Sequence, residues 1–256
     1  MRAGGRQNHS GAMAPSRRLP SCGPKTARPA GTSEPSTRAG PNWATLAEAQ
    51  LYSEELGIRL DKLSDRELFK WFLASSLFGA RVTPFIAKQG YLALRRNVRL
   101  TPRQMLKIGE KEIYVLLLQA GYVRAAKEKS SYIVQACQKL LASFQGSLEK
   151  LHDKAESPRQ LEALVTEFPG WGPVTANIFL RELRPFWKKA DPSPLRRVVD
   201  YARERGLDLR QIPRKSLSFA RLEAGIVREL AKRGERRKLG TRGAAVKVAP
   251  GDSLFR

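Results

Sequence analysis

Leu164-Val-Thr-Glu-Phe-Pro-Gly-Trp-Gly-Pro-Val-Thr-Ala-Asn-Ile-Phe-Leu180 is the stretch on which the fold turns. Leu161, Leu164, Val165 and Phe168 fall at helical spacing, so the spacing predicts a helix that ends at Phe168. Pro169-Gly170-Trp171-Gly172 then makes a tight turn. Pro173 suits the first position of a second helix, whose buried row is Ala176, Leu180 and Leu183. Two glycines in the turn imply positive φ and room for another chain to come close. A helix start behind a glycine turn presents free N–H groups, and phosphate is the natural ligand of such a place. Contacts of that kind hold a nucleic-acid backbone without reading its sequence. The same turn also serves as a plain corner between two helices, and spacing alone leaves both uses open.

Outward from this corner the chain reads as helix after helix. Ser64-Asp-Arg-Glu67 is a capping box ahead of Leu68, Phe72 and Leu73. Thr83-Pro84, Thr101-Pro102, Ser157-Pro158 and Ser193-Pro194 each place an N-cap before an N1 proline. The last of these opens a helix expected to end near Gly206. Ile113, Leu116, Leu117 and Ala120 form one apolar stripe, Ile133, Cys137, Leu140 and Phe144 another, and Phe219, Leu222, Ile226 and Leu230 a third. Alternation at period two is nearly absent, so an all-α fold is expected.

The 256 residues carry 47 Lys and Arg against 24 Asp and Glu, a formal charge of +23. Such an excess implies attraction to a polyanion. Residues 1–42 hold seven basic residues and one acid, with six Pro, six Gly and no aromatic, and are expected to be disordered. Residues 232–256 hold eight basic residues and two acids and are read as a second disordered basic tail. The folded domain is then 43–231, and it keeps +11 of the charge, which argues for a basic face on the domain itself. The acid-poor first tail fits an organellar transit segment or translation upstream of Met13 equally well; a prokaryotic chain would sit in the cytoplasm at the nucleoid. No apolar run approaches the roughly 18–20 residues of a spanning helix, so no membrane partner is expected.

Two cysteines exclude a disulfide scaffold, a four-cysteine zinc site and a four-thiolate iron–sulfur cluster. Cys137 lies on an apolar stripe and reads as an inert core thiol, while Cys22 and His9 lie in the first tail. His152, in Leu151-His-Asp-Lys154, is expected to be a solvated helix-end residue. No metal site is expected.

FPGWGPVTANIFL (168–180) resembles the hairpin of the helix-hairpin-helix DNA glycosylase superfamily, the endonuclease III-like proteins, which reads like LPGVGxxTAxxxL. Leu68–Arg81 is similar to the family's early helix and the turn after it, and Ala120–Lys127 to its G-[FY]-x-x-x-K-A stretch. The resemblance runs from about Leu63 to Leu230. It implies a two-lobed helical glycosylase fold and a catalytic aspartate closing the loop after the second hairpin helix. Asp191, 19 residues after Gly172, takes that role. Breaking an N-glycosidic bond builds positive charge on the sugar; a carboxylate beneath C1′ stabilises it and orients the attacking water. The base must first be turned out of the duplex. The resemblance gives DNA-binding roles to Pro169, Gly170, Trp171, Gly172 and Thr175 in the hairpin, to Phe78 as the wedge that fills the gap, and to Arg81 beside it. Lys188 and Lys189 read as phosphate contacts. Each has an ordinary alternative: Asp191 as a cap for the Pro194 helix, Phe78 as a core residue, Trp171 as a cover for the adjoining helix.

The sequence also departs from the family. Lyase-type members carry a lysine two residues after the turn's second glycine, and here that residue is Val174, which cannot form a Schiff base. The family's C-terminal cysteines are missing, so no cofactor is expected, though the hairpin leaves room for a monovalent cation. The expected function is therefore a monomeric, monofunctional DNA base-excision glycosylase without lyase activity, acting on double-stranded DNA with a damaged or mismatched base. The alternative is a helix-hairpin-helix DNA-binding protein without catalysis. A basic structural protein that binds through its tails is the third reading.

Overall fold

A computed structural model describes residues 43–244, with side chains through residue 234. The tail 1–42, with Cys22 and His9, lies outside the described residues, as does 245–256. Every regular element among the described residues is helical. In chain order these are α1 (Trp43–Ala47), α2 (Tyr52–Glu55), α3 (Asp65–Phe78), α4 (Pro84–Asn97), α5 (Pro102–Gln119), α6 (Ala126–Phe144), α7 (Leu148–Lys154), α8 (Pro158–Thr166), α9 (Pro173–Leu183), α10 (Arg196–Arg203) and α11 (Leu217–Ala244), with short 3-10 turns before α3 and α11.

Local chemistry accounts for most helix starts. The hydroxyls of Ser64, Thr83, Thr101 and Ser157 accept the amides of Glu67, Ile86, Gln104 and Gln160 at 3.2–3.4 Å. Each satisfies one donor that a helix start leaves free. The expected box at Ser64 closes on one side only: the Glu67 carboxylate instead takes the Arg59 amide and pairs with Lys70. The helix expected at Pro194 begins two residues later, at Arg196. Asn177 Nδ2 donates to the Ser193 carbonyl at 2.7 Å and keeps that stretch extended.

One hydrophobic cluster joins residues from Leu51 to Ala190 with Ala220 and Ala224, and its largest buried rings include Trp71, Phe69, Tyr91 and Tyr122. Trp71 Nε1 donates to the Phe179 carbonyl at 3.0 Å, and the Tyr122 hydroxyl to the Leu77 carbonyl at 2.9 Å. Both rings therefore bury their apolar bodies with their polar atoms satisfied. A smaller cluster packs Leu46 of α1, Val198 and Tyr201 of α10, and Leu222 and Ile226 of α11. Glu182 of α9, wholly buried, ties the parts together by accepting the amides of Tyr52 and Ser53 at the start of α2. Its burial pushes the carboxyl above the usual range, against Arg181 and the two amides.

The domain does not end at residue 231. α11 continues through Ala244. Residues 232–244 are mostly Lys, Arg, Glu, Ala and Leu, all strong helix formers, and the next proline is Pro250. Composition that reads as a solvated tail is also composition that prolongs a helix already nucleated by a packed segment.

Candidate nucleic-acid interface

The sequence 168–175 folds as the expected corner between α8 and α9. Trp171 N donates to the Phe168 carbonyl at 2.9 Å and closes the turn. Only one of its glycines needs to be glycine for conformation. Gly170 has φ +75°, and a Cβ there would lie 2.2 Å from the Tyr132 ring. Gly172 is extended at φ −78°, a conformation open to any residue, and nothing lies near its missing side chain. Its value is the open space. As N-cap of α9 it offers no side-chain acceptor, so the first amides of the helix remain uncapped. Gly170, Gly172, Pro173 and Val174 are exposed, and Pro169 is half-buried.

Trp171 is a correction to the sequence expectation. Its ring does not sit at the tip of the turn but is 3% exposed, stacked on Phe72 with centroids 3.9 Å apart and edge-on to Phe179. The indole anchors the bend to α3, and only its backbone belongs to the outer surface. Thr175 is a second correction. It is buried against the end of α3, where a Cβ on Gly79 would come within 1.9 Å of its Oγ1. Its side chain is packing rather than a DNA contact.

The bend borders an open cleft of about 670 Å³. One wall is the turn after α3, Gly79-Ala80-Arg81. The second is the start of α6, from Arg124 to Tyr132. The third is the bend itself, Phe168 to Gly172. Arg81, Arg124 and Lys129 face this space, and Glu128 is its one carboxylate. Arg81 thus lies where the sequence assigned it. Arg124 and Lys129 were not singled out. Lys129 could have been: it stands four residues before Ile133, on the buried stripe of α6, where an ammonium is out of place.

Phe78 does not face the hairpin cleft. Its half-buried ring packs edge-on to Tyr52 at 5.3 Å and lines a separate cavity with Phe85, Lys88 and Arg228. Lys189 is taken up by structure: Nζ donates to the carbonyls of Asp153 and Ala155 at the end of α7, where a cation meets the negative end of the helix. Lys188 is exposed and outside the cleft lining. His152 is not a solvated end residue either; its ring lies 4.7 Å from that of Trp187, and burial, helped by Lys189, pulls its pKa below the usual value. Cys137 is the inert core thiol expected, with burial pushing its pKa up to about 12.

Asp191 is absent from the cleft lining. Its side chain, 25% exposed, is held by Arg214 at 3.0 Å and by Arg184 at 3.4 Å. Arg184 is wholly buried, pairs with the buried Glu223 and donates to the Pro192 carbonyl at 2.5 Å. Asp191 does not cap α10, whose N-cap is Leu195. Its loop is tied to α9 through Asn177 and Ser193. Glu162 of α8 stands near enough that Asp191 and burial together raise its pKa, against Arg214 and Arg184.

No group of His, Cys, Asp or Glu among the described residues could hold a metal ion, and no described helix is long and apolar enough to cross a membrane. Comparisons with protein-family models, curated proteins and solved structures find no match to this chain.

Proposed function

We propose that this chain grips duplex DNA with the face that carries the 168–175 bend, as helix-hairpin-helix glycosylases do, and excises a damaged or mismatched base turned out of the duplex. One arrangement supports the reading. The uncapped start of α9 adjoins the cleft that Arg81, Arg124 and Lys129 line, with Glu128 as the only counter-charge in that lining. Amide dipoles and cations gathered around one concave space suit a phosphodiester backbone. Asp191 is the residue assigned to hydrolysis of the N-glycosidic bond: its ionised carboxylate would face the developing sugar cation and orient water.

A second reading, DNA binding without catalysis, is favoured by the ion pairs of Asp191. A carboxylate already neutralised by Arg184 and Arg214 stabilises a neighbouring cation less well. A panel of duplexes with uracil, mismatched thymine, alkylated purines or oxidised bases separates the two. Under the first reading wild type releases at least one base, and Asp191→Asn slows that release by about 100-fold or more. Binding without release of any base leaves the second reading standing. Failure to bind any duplex at low salt removes both.

A further inference from the structure

Lys129 is the anomaly of the cleft. It is 6% exposed, on the apolar stripe of α6, and lines both the open cleft and a small apolar pocket under it formed by Phe69, Phe72, Leu73 and Trp171. No carboxylate or carbonyl among the described residues accepts a hydrogen bond from its Nζ; the Tyr132 ring lies 5.9 Å away. The adjacent Glu128 carboxylate is engaged by the Tyr132 hydroxyl at 2.6 Å. A buried ammonium without a partner is costly, and a site pays that cost by releasing the proton. Burial lowers the pKa of Lys129 to about 8, with Glu128 opposing only in part. About a tenth of the amine is then unprotonated at neutral pH, and the unprotonated amine is a nucleophile. The groups around it are Arg81 on the turn after α3, Arg124 ahead of α6, Glu128, Tyr132 and Cys137 on α6; the bend contributes no titratable side chain.

We propose that Lys129 is a nucleophile that forms an imine with the C1′ aldehyde of an abasic deoxyribose held in the hairpin cleft. The proposal rests on the DNA-binding reading above, and it puts the amine on the α6 wall, across the cleft from the bend, rather than at Val174. The Nζ lone pair attacks C1′ as the carbonyl π pair moves to oxygen, and the nitrogen gives up a proton while that oxygen takes one. The carbinolamine loses its hydroxyl as water, leaving a protonated imine. Hydrolysis reverses both steps and returns the amine. No oxidant or reductant takes part. The two cationic arginines of the cleft keep the neighbouring amine from protonating and hold the flanking phosphates.

The test uses the full chain, a duplex with one abasic site, and borohydride, whose hydride reduces the imine to a stable secondary amine. Wild type is expected to give a covalent adduct whose tryptic peptide carries the sugar on Lys129. Lys129→Met and Lys129→Arg should each cut the yield by about 50-fold or more, because neither side chain forms an imine. Both should still bind a duplex with a tetrahydrofuran site, which has no aldehyde, within about threefold of wild type. Lys188→Ala should leave the adduct intact. Adduct yield should climb between about pH 6 and 8 as the amine loses its proton. Three outcomes overturn the proposal: wild type binds the tetrahydrofuran duplex yet forms no adduct; the adduct survives both Lys129 variants; or the sugar maps to another amine, such as that of Met1. Loss of binding to the tetrahydrofuran duplex itself defeats the DNA reading and the proposal together.

Discussion

The two ends of α9 hold the same kinds of charge under opposite terms. At its C-terminal end Arg184, Arg214, Asp191 and Glu223 are bonded to one another, and Arg184 and Glu223 are buried. At its N-terminal end the bend adjoins Arg81, Arg124 and Lys129, and none of the three pairs with a carboxylate across the described residues. Charges that neutralise each other inside a fold hold elements together. Charges left open around a concave space have their partners elsewhere. The contrast explains why composition alone is a poor guide: the +23 of the chain says nothing about which cations are already spent.

The sharpest way to break the contrast is at the buried end. Arg184→Met leaves Glu223 buried without its cation, and the domain should lose about 3–5 kcal/mol in urea unfolding. Arg184→Met with Glu223→Leu removes both charges and should recover most of that loss. A loss under about 1 kcal/mol in the single variant would show that the corner is not held by this pair. At the open end the same class of substitution should do the reverse. Arg81→Ala with Arg124→Ala should change unfolding free energy by less than about 0.5 kcal/mol. The pair should reduce the salt dependence of DNA binding by about two units of slope, since each lost phosphate contact removes about 0.9. An unchanged slope in anisotropy titrations would move the DNA interface off this cleft.

Much of the fold was legible because helix caps are local. Ser64, Thr83, Thr101 and Ser157 bond residues three positions ahead, so a window of a few residues contains the whole interaction. The corner at Gly170 was legible for the same reason. What failed depends on contacts from far along the chain. Trp171 reads as a surface tip within its own turn, but its ring is claimed by Phe72 of α3. Thr175 sits at an open helix start, yet its side chain is covered by the backbone at Gly79. Lys189 looks like a free cation until α7 brings two carbonyls to it. Asp191 was chosen on spacing and loop composition, and neither shows that arginines 7 residues before and 23 residues after it would converge on its carboxylate.

The smallest effect tests a site that belongs to neither end. His152 has a depressed pKa in the folded state, caused first by burial and then by Lys189. Below the usual histidine pKa the unfolded chain takes up a proton that the folded chain does not, so this residue's contribution is present above that pH and is lost as pH falls toward the depressed value. The raised carboxyls of Glu182 and Glu223 act in the opposite sense at lower pH, since there the folded state holds the extra protons. The difference between wild type and His152→Gln isolates the histidine: melting temperatures should diverge between about pH 7 and pH 5, with the wild type falling faster. Parallel curves would mean that the ring is freely protonated against Trp187.

Gly79 and Thr175 meet with no space for even a methyl group between them. The turn that carries Arg81 and the first turn of α9 are therefore gauged against each other as one solid jaw. If the mouth widens to admit a bulky strand, the give has to come from the opposing side, where Arg124 and Val123 precede α6 on exposed chain.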